Sequence, residues 1–464
     1  MTECCDHILK QAKHVHFIGI GGSGMYPLAE ILHSKGYFLT GSDINESDNL
    51  KRVRELGIQV FMGHAAANLG DADLVVYTAA VKEDNPELAD AIKRDIPTLE
   101  RSKLLGIVSR HYGCTIAVAG THGKTTTTSM ISQILLGAGV DPTLVIGGYL
   151  PVLHSNGRAG NSDIMVCEAC EYVDTFLELS PAISIILNID ADHLDYFGTL
   201  ENIIKSFHKF ASITSQTIIV NGDDANSMKA VQYINCKIIT FGMKETNDYY
   251  PANISTVDGA YYGFDVMHKG QLITHVQLSV PGKQNVADAL AACAAAHLIG
   301  VSGEDISRNL AEFHGANRRF QVYGTFHDVM LVDDFAHHPT EIDATLGAAR
   351  KMHCNQVWAV FQPYTYSRTV RWVDEFARSL SAADHVVISK IMGAREKNKW
   401  GVTSQDIGMK IPGSHCIDEF EDIADFVAQN AKPGDLIITM GGGDIYKCAR
   451  MIRDRLEKKD VASV

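Results

Sequence analysis

The 464-residue sequence has no apolar run of membrane-spanning length, no low-complexity tract and no internal repeat. The first absence excludes a transmembrane helix, and the opening segment MTECCDHILK lacks the basic-then-apolar order of a secretory signal. An excess of basic residues is lacking as well, because 55 acidic residues outnumber 41 basic ones and give a formal charge of −14. We therefore expect a cytoplasmic protein whose main partners are small molecules, with no nucleic-acid binding and no membrane insertion.

Regularly spaced cysteine pairs are also lacking. The ten cysteines are scattered, which in a chain of this size is typical of reduced thiols rather than of a disulfide framework. Cys167 and Cys170 form a Cys-x-x-Cys pair, but no second pair at zinc-site spacing accompanies it. We interpret these two thiols as structural. The length of the chain predicts more than one domain.

The most informative segment present is AGTHGKTTTT at residues 119–128, which follows the apolar run 115–118 and leads into a helical pattern. Strand, glycine turn, lysine, hydroxyl residues and helix form the order that wraps backbone N–H groups around a nucleotide phosphate. We predict that Lys124 neutralises the terminal phosphates and that the Thr125 hydroxyl reaches Mg²⁺. The segment is not the common P-loop, which has glycine where this chain has Val118.

A second glycine loop follows the first predicted strand, residues 14–18. Gly19, Gly21 and Gly24 fit the pattern G-x-G-x-x-G, a helical pattern follows, and the next predicted strand ends at Asp43. This is the spacing of a Rossmann dinucleotide fingerprint, so an NAD-dependent dehydrogenase is one alternative. The fingerprint itself indicates only that a diphosphate can bind at the helix N-terminus.

Two later strands are predicted to end beside the phosphate loop. One ends at Glu168, and the other runs into the acid-rich segment 188–195, which contains His193. Because neighbouring parallel strands end at the same edge of a sheet, Thr125, Glu168 and His193 are candidate magnesium ligands. The alternatives are a surface carboxylate beside a turn for Glu168 and a loop histidine bonded to neighbouring acids for His193.

The last third of the sequence predicts another parallel sheet that is covered by helices. Its predicted strands are residues 329–332, 357–361, 385–389 and 436–439. Arg368 and Arg371 lie at a predicted helix start just after the second of these strands. Arginines one helical turn apart usually lie on a solvated face, but beside a strand-end loop they are candidates for binding a carboxylate or phosphate.

Motifs along the whole chain resemble those of the Mur ligases. In family order they are GIGGSGM…GSD, AGTHGKTTTT, EACEYVDTFL, NIDADHLDYFG, GKQN, RRFQ, VDDFAHHPTE, FQPYTYSRT and TMGGGDIY. The resemblance implies an α/β protein of three domains. These are an N-terminal Rossmann-like domain for a UDP-sugar (1–112), a central P-loop-type ATPase domain with a mostly parallel sheet (113–317), and a C-terminal Rossmann-like domain for ATP and an amino acid (318–464).

The resemblance also implies an activity in peptidoglycan precursor synthesis, and so in cell-wall biogenesis, cell shape and cell division. The motifs are most similar to those of family members that use ATP and Mg²⁺ to join L-alanine to the lactyl carboxylate of UDP-N-acetylmuramate through an acyl phosphate. A recycling ligase that adds a preformed peptide to the same sugar is the alternative within the family. Whether the protein is a monomer or a homodimer is open at this point.

The resemblance further implies the site residues. The UDP-sugar would contact Gly21, Gly22, Ser23, Gly24, Met25, Asp43, His64 and Thr78. ATP would contact Gly120, Thr121, His122, Gly123, Lys124, Thr125 and Thr126, with Asn285 at the adenine and Asp334 at the ribose. The metal ligands would be Thr125, Glu168 and His193, and the catalytic residues Lys124, His193, His337, Arg368 and Arg371.

The sequence departs from the family pattern at two places. Many relatives have Glu-Ala-Asp-Glu-Ser-Asp where this chain has Glu-Ala-Cys-Glu-Tyr-Val at 168–173, so the first acid is kept and the roles of the later ones are open. Many relatives also have arginine where Thr365 stands. Other family members carry a carbamylated lysine, and Lys209 lies near that position without being assigned the role.

Overall fold

The computed structural model describes the backbone of residues 2–394 and 396–462 and the side chains of 7–394 and 396–459. Two compact units make up the chain. The first unit comprises Met1–Ala252, Asp265–His275 and Ala287–Leu310, and the second comprises Asn253–Phe264, Val276–Val286 and Ala311–Val464. None of the helices in the described part of the chain has both the length and the apolar character needed to cross a bilayer.

The first sheet contains five parallel strands in the order β3-β2-β1-β4-β5. Its strands are β1 (His14–Ile18), β2 (Phe38–Asp43), β3 (Gln59–Met62), β4 (Leu74–Tyr77) and β5 (Thr98–Glu100). Its helices are α1 (Thr2–Gln11), α2 (Tyr26–Ser34), α3 (Asp48–Glu55), α4 (Pro86–Lys93) and α5 (Arg101–Ser109), with a 3₁₀ turn at Ala66–Leu69. Every residue of β1 is buried, as expected for a central strand with both faces covered.

The second sheet has the strand order β15-β14-β13-β12-β11-β10-β6-β9-β7-β8. Its strands are β6 (Cys114–Ala119), β7 (Thr143–Leu150), β8 (Ser155–Arg158), β9 (Ile164–Glu168), β10 (Ile183–Ile186), β11 (Thr217–Asn221), β12 (Lys237–Phe241), β13 (Tyr249–Val257), β14 (Tyr261–His268) and β15 (Gln271–Pro281). Parallel pairing runs from β12 to β7, and β8 is antiparallel to β7. Because β6 lies between β9 and β10, both of their carboxyl ends flank the phosphate loop, as the sequence predicted.

Six helices and two 3₁₀ segments accompany the strands of the second sheet. They are α6 (Lys124–Gly137), α7 (Leu194–Phe197), α8 (Leu200–Ser212), α9 (Ala225–Ala230), α10 (Gln284–Leu298) and α11 (Gly303–Ala311), with 3₁₀ segments at Pro151–Leu153 and Tyr172–Glu178. Thr199 and Asp224 cap α8 and α9, because each side chain accepts a hydrogen bond from a first-turn N–H group.

The third sheet lies in the second unit and has the order β16-β17-β21-β18-β19-β20. Its strands are β16 (Gln321–Phe326), β17 (Val329–Asp334), β18 (Val357–Phe361), β19 (His385–Ile388), β20 (His415–Cys416) and β21 (Leu436–Met440). Its helices are α12 (Pro339–Ala349), α13 (Tyr366–Arg371), α14 (Val373–Leu380), α15 (Gln405–Gly408), α16 (Phe420–Asn430) and α17 (Tyr446–Ala462). Only β16 pairs antiparallel within this sheet.

Alternating residues of β18 divide the core of this sheet into two layers. Val357, Ala359 and Phe361 pack with residues of α12 and α14, whereas Trp358 and Val360 pack with residues of α16 and α17. This is the period-two pattern of a strand covered by helices on both faces. The carboxyl ends of the strands are thereby held on a rigid layer, from which the candidate site loops project.

Candidate active site

The phosphate loop joins β6 to α6 through two glycines in the left-handed φ region. Gly120 has a φ of +149° and Gly123 a φ of +84°. A Cβ atom on Gly123 would lie 2.6 Å from Oδ1 of Asp288, and one on Gly120 would lie 2.9 Å from Cβ of Leu187. Glycine is therefore required at both positions by conformation and by space.

The loop is fastened to the segment that follows β10. The N–H of His122 donates to Oδ1 of Asn188 at 2.8 Å, and Nδ2 of Asn188 donates to the His122 carbonyl at 3.1 Å. The N–H of Asp190 donates to Oγ1 of Thr121 at 2.9 Å, and Nε2 of His122 lies 3.1 Å from Oδ2 of Asp190. These bonds order the loop at residues 121 and 122, so the N–H groups that follow at the start of α6 are preorganised for an anion.

The ammonium of Lys124 points back into the loop. It donates to the carbonyls of Gly120 and Thr121 and lies 3.0 Å from Oε2 of Glu171. Burial lowers the pKa of Lys124, but the charge and hydrogen bond of Glu171, together with contributions from Cys170 and Glu168, outweigh burial and leave that pKa raised. Lys124 is thus a nearly buried ammonium that stays charged, and its partner Glu171 is a residue whose role the sequence left open.

Two of the predicted metal ligands supply oxygen donors. Glu168 ends β9 opposite Val118 in the strand register, and its Oε1 accepts a hydrogen bond from the N–H of Gly147 at 2.6 Å. Thr125 is buried in the first turn of α6. Carboxylate and hydroxyl oxygens suit Mg²⁺, so these two residues fit the predicted ion.

The third predicted ligand, His193, precedes α7 with a φ of +51°. Its ring centroid lies 4.7 Å from that of Tyr172, and its N–H donates to Oδ1 of Asp192 at 2.8 Å. Imidazole is a less usual ligand for Mg²⁺ than an oxygen donor. The structure places His193 in an acid-rich loop, and its metal role stays a prediction.

The Cys-x-x-Cys pair lies on the same strand end without forming a redox site. Cys167 and Cys170 are both free thiols. Burial raises the pKa of Cys167 to about 12 and also raises the pKa of Cys170. Such thiols are mostly protonated and unreactive at neutral pH, in agreement with a structural role.

A cavity of about 350 Å³ connects the first glycine loop with the end of β9 inside the first unit. Residues predicted to bind the UDP-sugar line one wall, namely Gly22, Ser23, Gly24, Met25 and Thr78. Glu168 and the unpredicted Arg101 also line the cavity. Behind the loop, the N–H of Gly21 donates to Oδ2 of Asp43 at 3.0 Å. The structure thus gathers most of the predicted UDP-sugar residues and one predicted metal ligand around a single space.

His64, another predicted UDP-sugar residue, belongs to a buried network around Glu87. Its Nδ1 lies 3.1 Å from Oγ of Ser42 and 3.2 Å from Oε2 of Glu87. Ser42 Oγ and Asn68 Nδ2 also donate to the Glu87 carboxylate, each at 2.5 Å. Burial alone would raise the pKa of Glu87, but the His16 imidazole, with its Nε2 3.7 Å from Oε2, and the hydrogen bonds from Ser42 and Asn68 lower it to about 2. Glu87, which the sequence analysis missed, therefore fixes the orientation of His64.

In the second unit, Asp334 ends β17 and is 8% exposed. Its Oδ2 accepts the N–H of Phe320 at 2.6 Å, and its Oδ1 accepts the N–H of Ala336 at 2.7 Å. Burial raises the pKa of Asp334 to about 6, although Arg319 and the two backbone hydrogen bonds oppose that shift. One lone pair of each oxygen is already engaged, so the predicted ribose contact would use the remaining ones.

The same unit brings three of its strand-end loops together. A Cβ atom on Gly442 would lie 3.2 Å from Cγ of His337 and 3.1 Å from the Tyr364 ring. The guanidinium of Arg368 lies 6.0 Å from the centroid of that ring. His337 and Arg368 are therefore near neighbours of one tyrosine, which the sequence analysis did not select.

Three further positions of the second unit were singled out by the sequence. Arg371 is exposed, with its guanidinium 5.5 Å from the Trp372 ring centroid. Asn285 is the second residue of α10 and donates from Nδ2 to the Pro281 carbonyl at 2.7 Å. Thr365, which stands where many relatives have arginine, has a φ of +64°. A β-branched residue in that region is strained, and such strain often marks a functional loop.

Sequence models of three Mur ligase domains match the chain in the expected order. The matches are the family's catalytic domain at residues 14–112, its middle domain at 118–296 and its glutamate ligase domain at 318–443. The chain belongs to the Mur ligase family. Membership confirms the resemblance and the α/β fold with three Mur ligase domains, and it removes the NAD-dependent dehydrogenase alternative.

Similar proteins within the Mur ligase family agree in their names. The UDP-N-acetylmuramate–L-alanine ligase of Acetivibrio thermocellus is 45% identical, with 97% of each chain covered. The ligase of the same name from Agathobacter rectalis is 47% identical, covering 94% of this chain and 96% of its own.

Two solved structures are also similar to this chain. The UDP-N-acetylmuramate–alanine ligase of Thermotoga maritima has a TM-score of 0.82 at 29% identity, covering 97% of this chain and all of its own. The murein peptide ligase of Psychrobacter arcticus has a TM-score of 0.72 at 28% identity, with 96% and 99% covered.

Proposed function

We propose that this Mur ligase joins L-alanine to UDP-N-acetylmuramate in peptidoglycan precursor synthesis, with ATP converted to ADP and phosphate. The lactyl carboxylate takes the γ-phosphoryl group of ATP and becomes an acyl phosphate. The amine of alanine then attacks the carbonyl carbon and loses a proton, and the bond from that carbon to the phosphate oxygen breaks. No nucleophilic side chain is needed, because the protein mainly positions the reactants and screens their charges.

The cavity of the first unit is the observation that carries this proposal. It has the glycine loop on one wall and Glu168 on another, and Glu168 ends the strand next to β6, which leads into the phosphate loop. A UDP-sugar bound at the glycine loop would extend through this cavity toward the phosphate loop. This arrangement supports an in-line attack of the lactyl carboxylate on the γ-phosphate of ATP.

The roles of individual residues follow from their chemistry. Lys124 and the N–H groups of residues 123–126 would bind the terminal phosphates of ATP. Gly120, Thr121 and His122 would shape the loop around them, because the N–H groups of Thr121 and His122 already donate to Asn188. Thr125 and Glu168, with His193 as a proposed third ligand, would hold Mg²⁺, which when bound screens the charge between carboxylate and phosphate. Excluding water protects an acyl phosphate from hydrolysis, and the apolar lining from Val145 and Phe176 supports that role.

The proposed domains are 1–112 for the UDP-sugar, 113–317 for ATP and 318–464 for ATP and the amino acid. We assign Asn285 to the adenine and Asp334 to the ribose. His337, Arg368 and Arg371 are assigned to the acyl phosphate and the amino acid, because imidazole and guanidinium groups bind such anions.

Phosphate release tests the proposal. The purified protein is incubated with ATP, Mg²⁺ and UDP-N-acetylmuramate, and phosphate is measured with a panel of L-amino acids and with the peptide substrate of a recycling ligase. We expect release with L-alanine, and the product mass should equal the sum of sugar nucleotide and alanine minus water. Release with the peptide but not with alanine would contradict the proposal and favour the recycling alternative.

A further inference from the structure

Arg101 lies at the edge of the first sheet that is formed by the carboxyl ends of its strands. It is the first residue of α5 and directly follows β5, so it shares the carboxyl edge of the sheet with the glycine loop after β1 and with Thr78 after β4. Ligands of open parallel sheets bind at this edge. Neither the motifs nor the implied site residues included Arg101.

The side chain of Arg101 lies directly against the glycine loop. A Cβ atom on Gly24 would lie 2.9 Å from Cδ, 3.2 Å from Nε and 3.3 Å from Nη1 of Arg101. Gly24 therefore leaves the space that the guanidinium occupies. Any larger residue at position 24 would push the guanidinium away from the loop.

The guanidinium of Arg101 forms no ion pair with a carboxylate in the described part of the chain. Among the residues that the structure describes, no carboxylate lies within 4.0 Å of its guanidinium, and the adjacent Glu100 instead caps α5 by accepting the N–H of Ser102 at 2.7 Å. Arg101 is also the only cation among the described residues that line the 350 Å³ cavity. A half-buried arginine without a carboxylate partner is costly unless an anionic ligand binds it.

We propose that Arg101 binds the diphosphate of the sugar nucleotide on the glycine loop. This inference rests on the proposed function for the identity of the substrate. The N–H groups at the start of α2 supply only partial positive charge, whereas a guanidinium can donate two parallel hydrogen bonds to phosphate oxygens. Arg101 thus supplies the full charge that the glycine loop lacks, and it selects a nucleoside diphosphate over an uncharged nucleoside.

Ligand binding without turnover tests this role. Titration of the ATP-free protein with UDP and with UDP-N-acetylmuramate, and NMR of uridine binding, are compared for wild type, Arg101→Gln and Lys103→Gln. Lys103 is an exposed residue of the same helix, so its variant loses the same charge away from the cavity. We expect Arg101→Gln to weaken binding of UDP and of the full substrate by about 10- to 100-fold, while uridine binding stays within about twofold. Lys103→Gln should bind all three ligands like wild type.

The contrary outcomes distinguish an error in the role of Arg101 from an error in the proposed function. Equal UDP binding by wild type and Arg101→Gln overturns the role of Arg101 and leaves the ligase proposal intact. Parallel loss of uridine and UDP also overturns it, since it indicates a merely structural residue. Loss of the full substrate with normal UDP binding would assign Arg101 to the sugar acid instead. A wild-type protein that binds neither nucleotide contradicts both the inference and the proposed function.

Discussion

Lys124 and Glu171 form an ion pair of 3.0 Å inside the phosphate loop, with side chains that are 16% and 3% exposed. A triphosphate that binds this loop would compete with Glu171 for the same ammonium. Glu171 therefore stabilises the ATP-free loop, and its importance should fall when ATP is bound.

Glu171→Gln tests this competition through stability. Because a buried ammonium then lacks its counter-charge, we expect the ATP-free variant to lose about 2–4 kcal/mol of unfolding free energy. A non-hydrolysable ATP analogue should narrow the difference from wild type, since phosphate replaces the carboxylate. Urea unfolding with and without the analogue measures both effects, and Glu201→Gln at an exposed site is the control. A difference that the analogue leaves unchanged would contradict the competition.

Lys124→Ala should reduce ATP-dependent phosphate release by at least about 100-fold, because a cation on the transferring group is lost. The folded state should persist, as checked by circular dichroism and thermal unfolding. Lys205→Ala removes an exposed lysine of α8 and should retain wild-type activity. Near-normal turnover by Lys124→Ala would remove Lys124 from the proposed mechanism.

Gly123→Ala and Gly139→Ala separate backbone strain from crowding. Both glycines have positive φ, +84° and +74°, but a Cβ atom on Gly139 meets no heavy atom within 4 Å, whereas one on Gly123 meets Asp288. We expect each variant to lose about 1 kcal/mol of stability from the conformation. Only Gly123→Ala should also raise the KM for ATP, by at least about 10-fold. Equal KM values in the two variants would show that the loop tolerates a side chain at position 123.

Glu87→Gln gives a pH-dependent prediction. The folded pKa of about 2 lies below the ordinary value of 4.5, so the charged carboxylate stabilises the fold fully above pH 4.5, and this contribution is lost as the pH falls toward 2. We expect the variant to be less stable by roughly 2–3 kcal/mol at pH 7. Urea midpoints at pH 7 and pH 3 should show a smaller difference at pH 3. A difference that is independent of pH would contradict a charged Glu87.

The sequence revealed best the strands that are rich in apolar residues and buried on both faces. Residues 14–18 and 357–361 were predicted with the bounds that β1 and β18 have, because both strands are buried along their whole length. By contrast, β3 is an edge strand with partly exposed residues, and β20 has two residues. Neither has a pattern that distinguishes a strand from a loop.

In the candidate site, too, only locally encoded features could be predicted from the sequence. Glycine and lysine spacing located the two ligand loops, because a phosphate loop is a local structure. Glu171 contacts Lys124 from the start of an irregular turn, in which Val173 and Asp174 have φ of +55° and +57°. Arg101 reaches Gly24 only through the packing of α5. Such contacts depend on tertiary structure, and sequence spacing does not encode them directly.

Arg318 donates to the carbonyls of Gly441 and Gly443, at 2.6 and 2.8 Å, across more than 120 residues of chain. The strand before those glycines, β21, lies between β17 and β18 and joins the two halves of its sheet. During synthesis, β17 and β18 must therefore wait for nearly the entire polypeptide before they acquire their shared neighbour. Assembly of the third sheet is a late event on the ribosome, and a chain cut before residue 436 would leave two unpaired strand edges prone to aggregation.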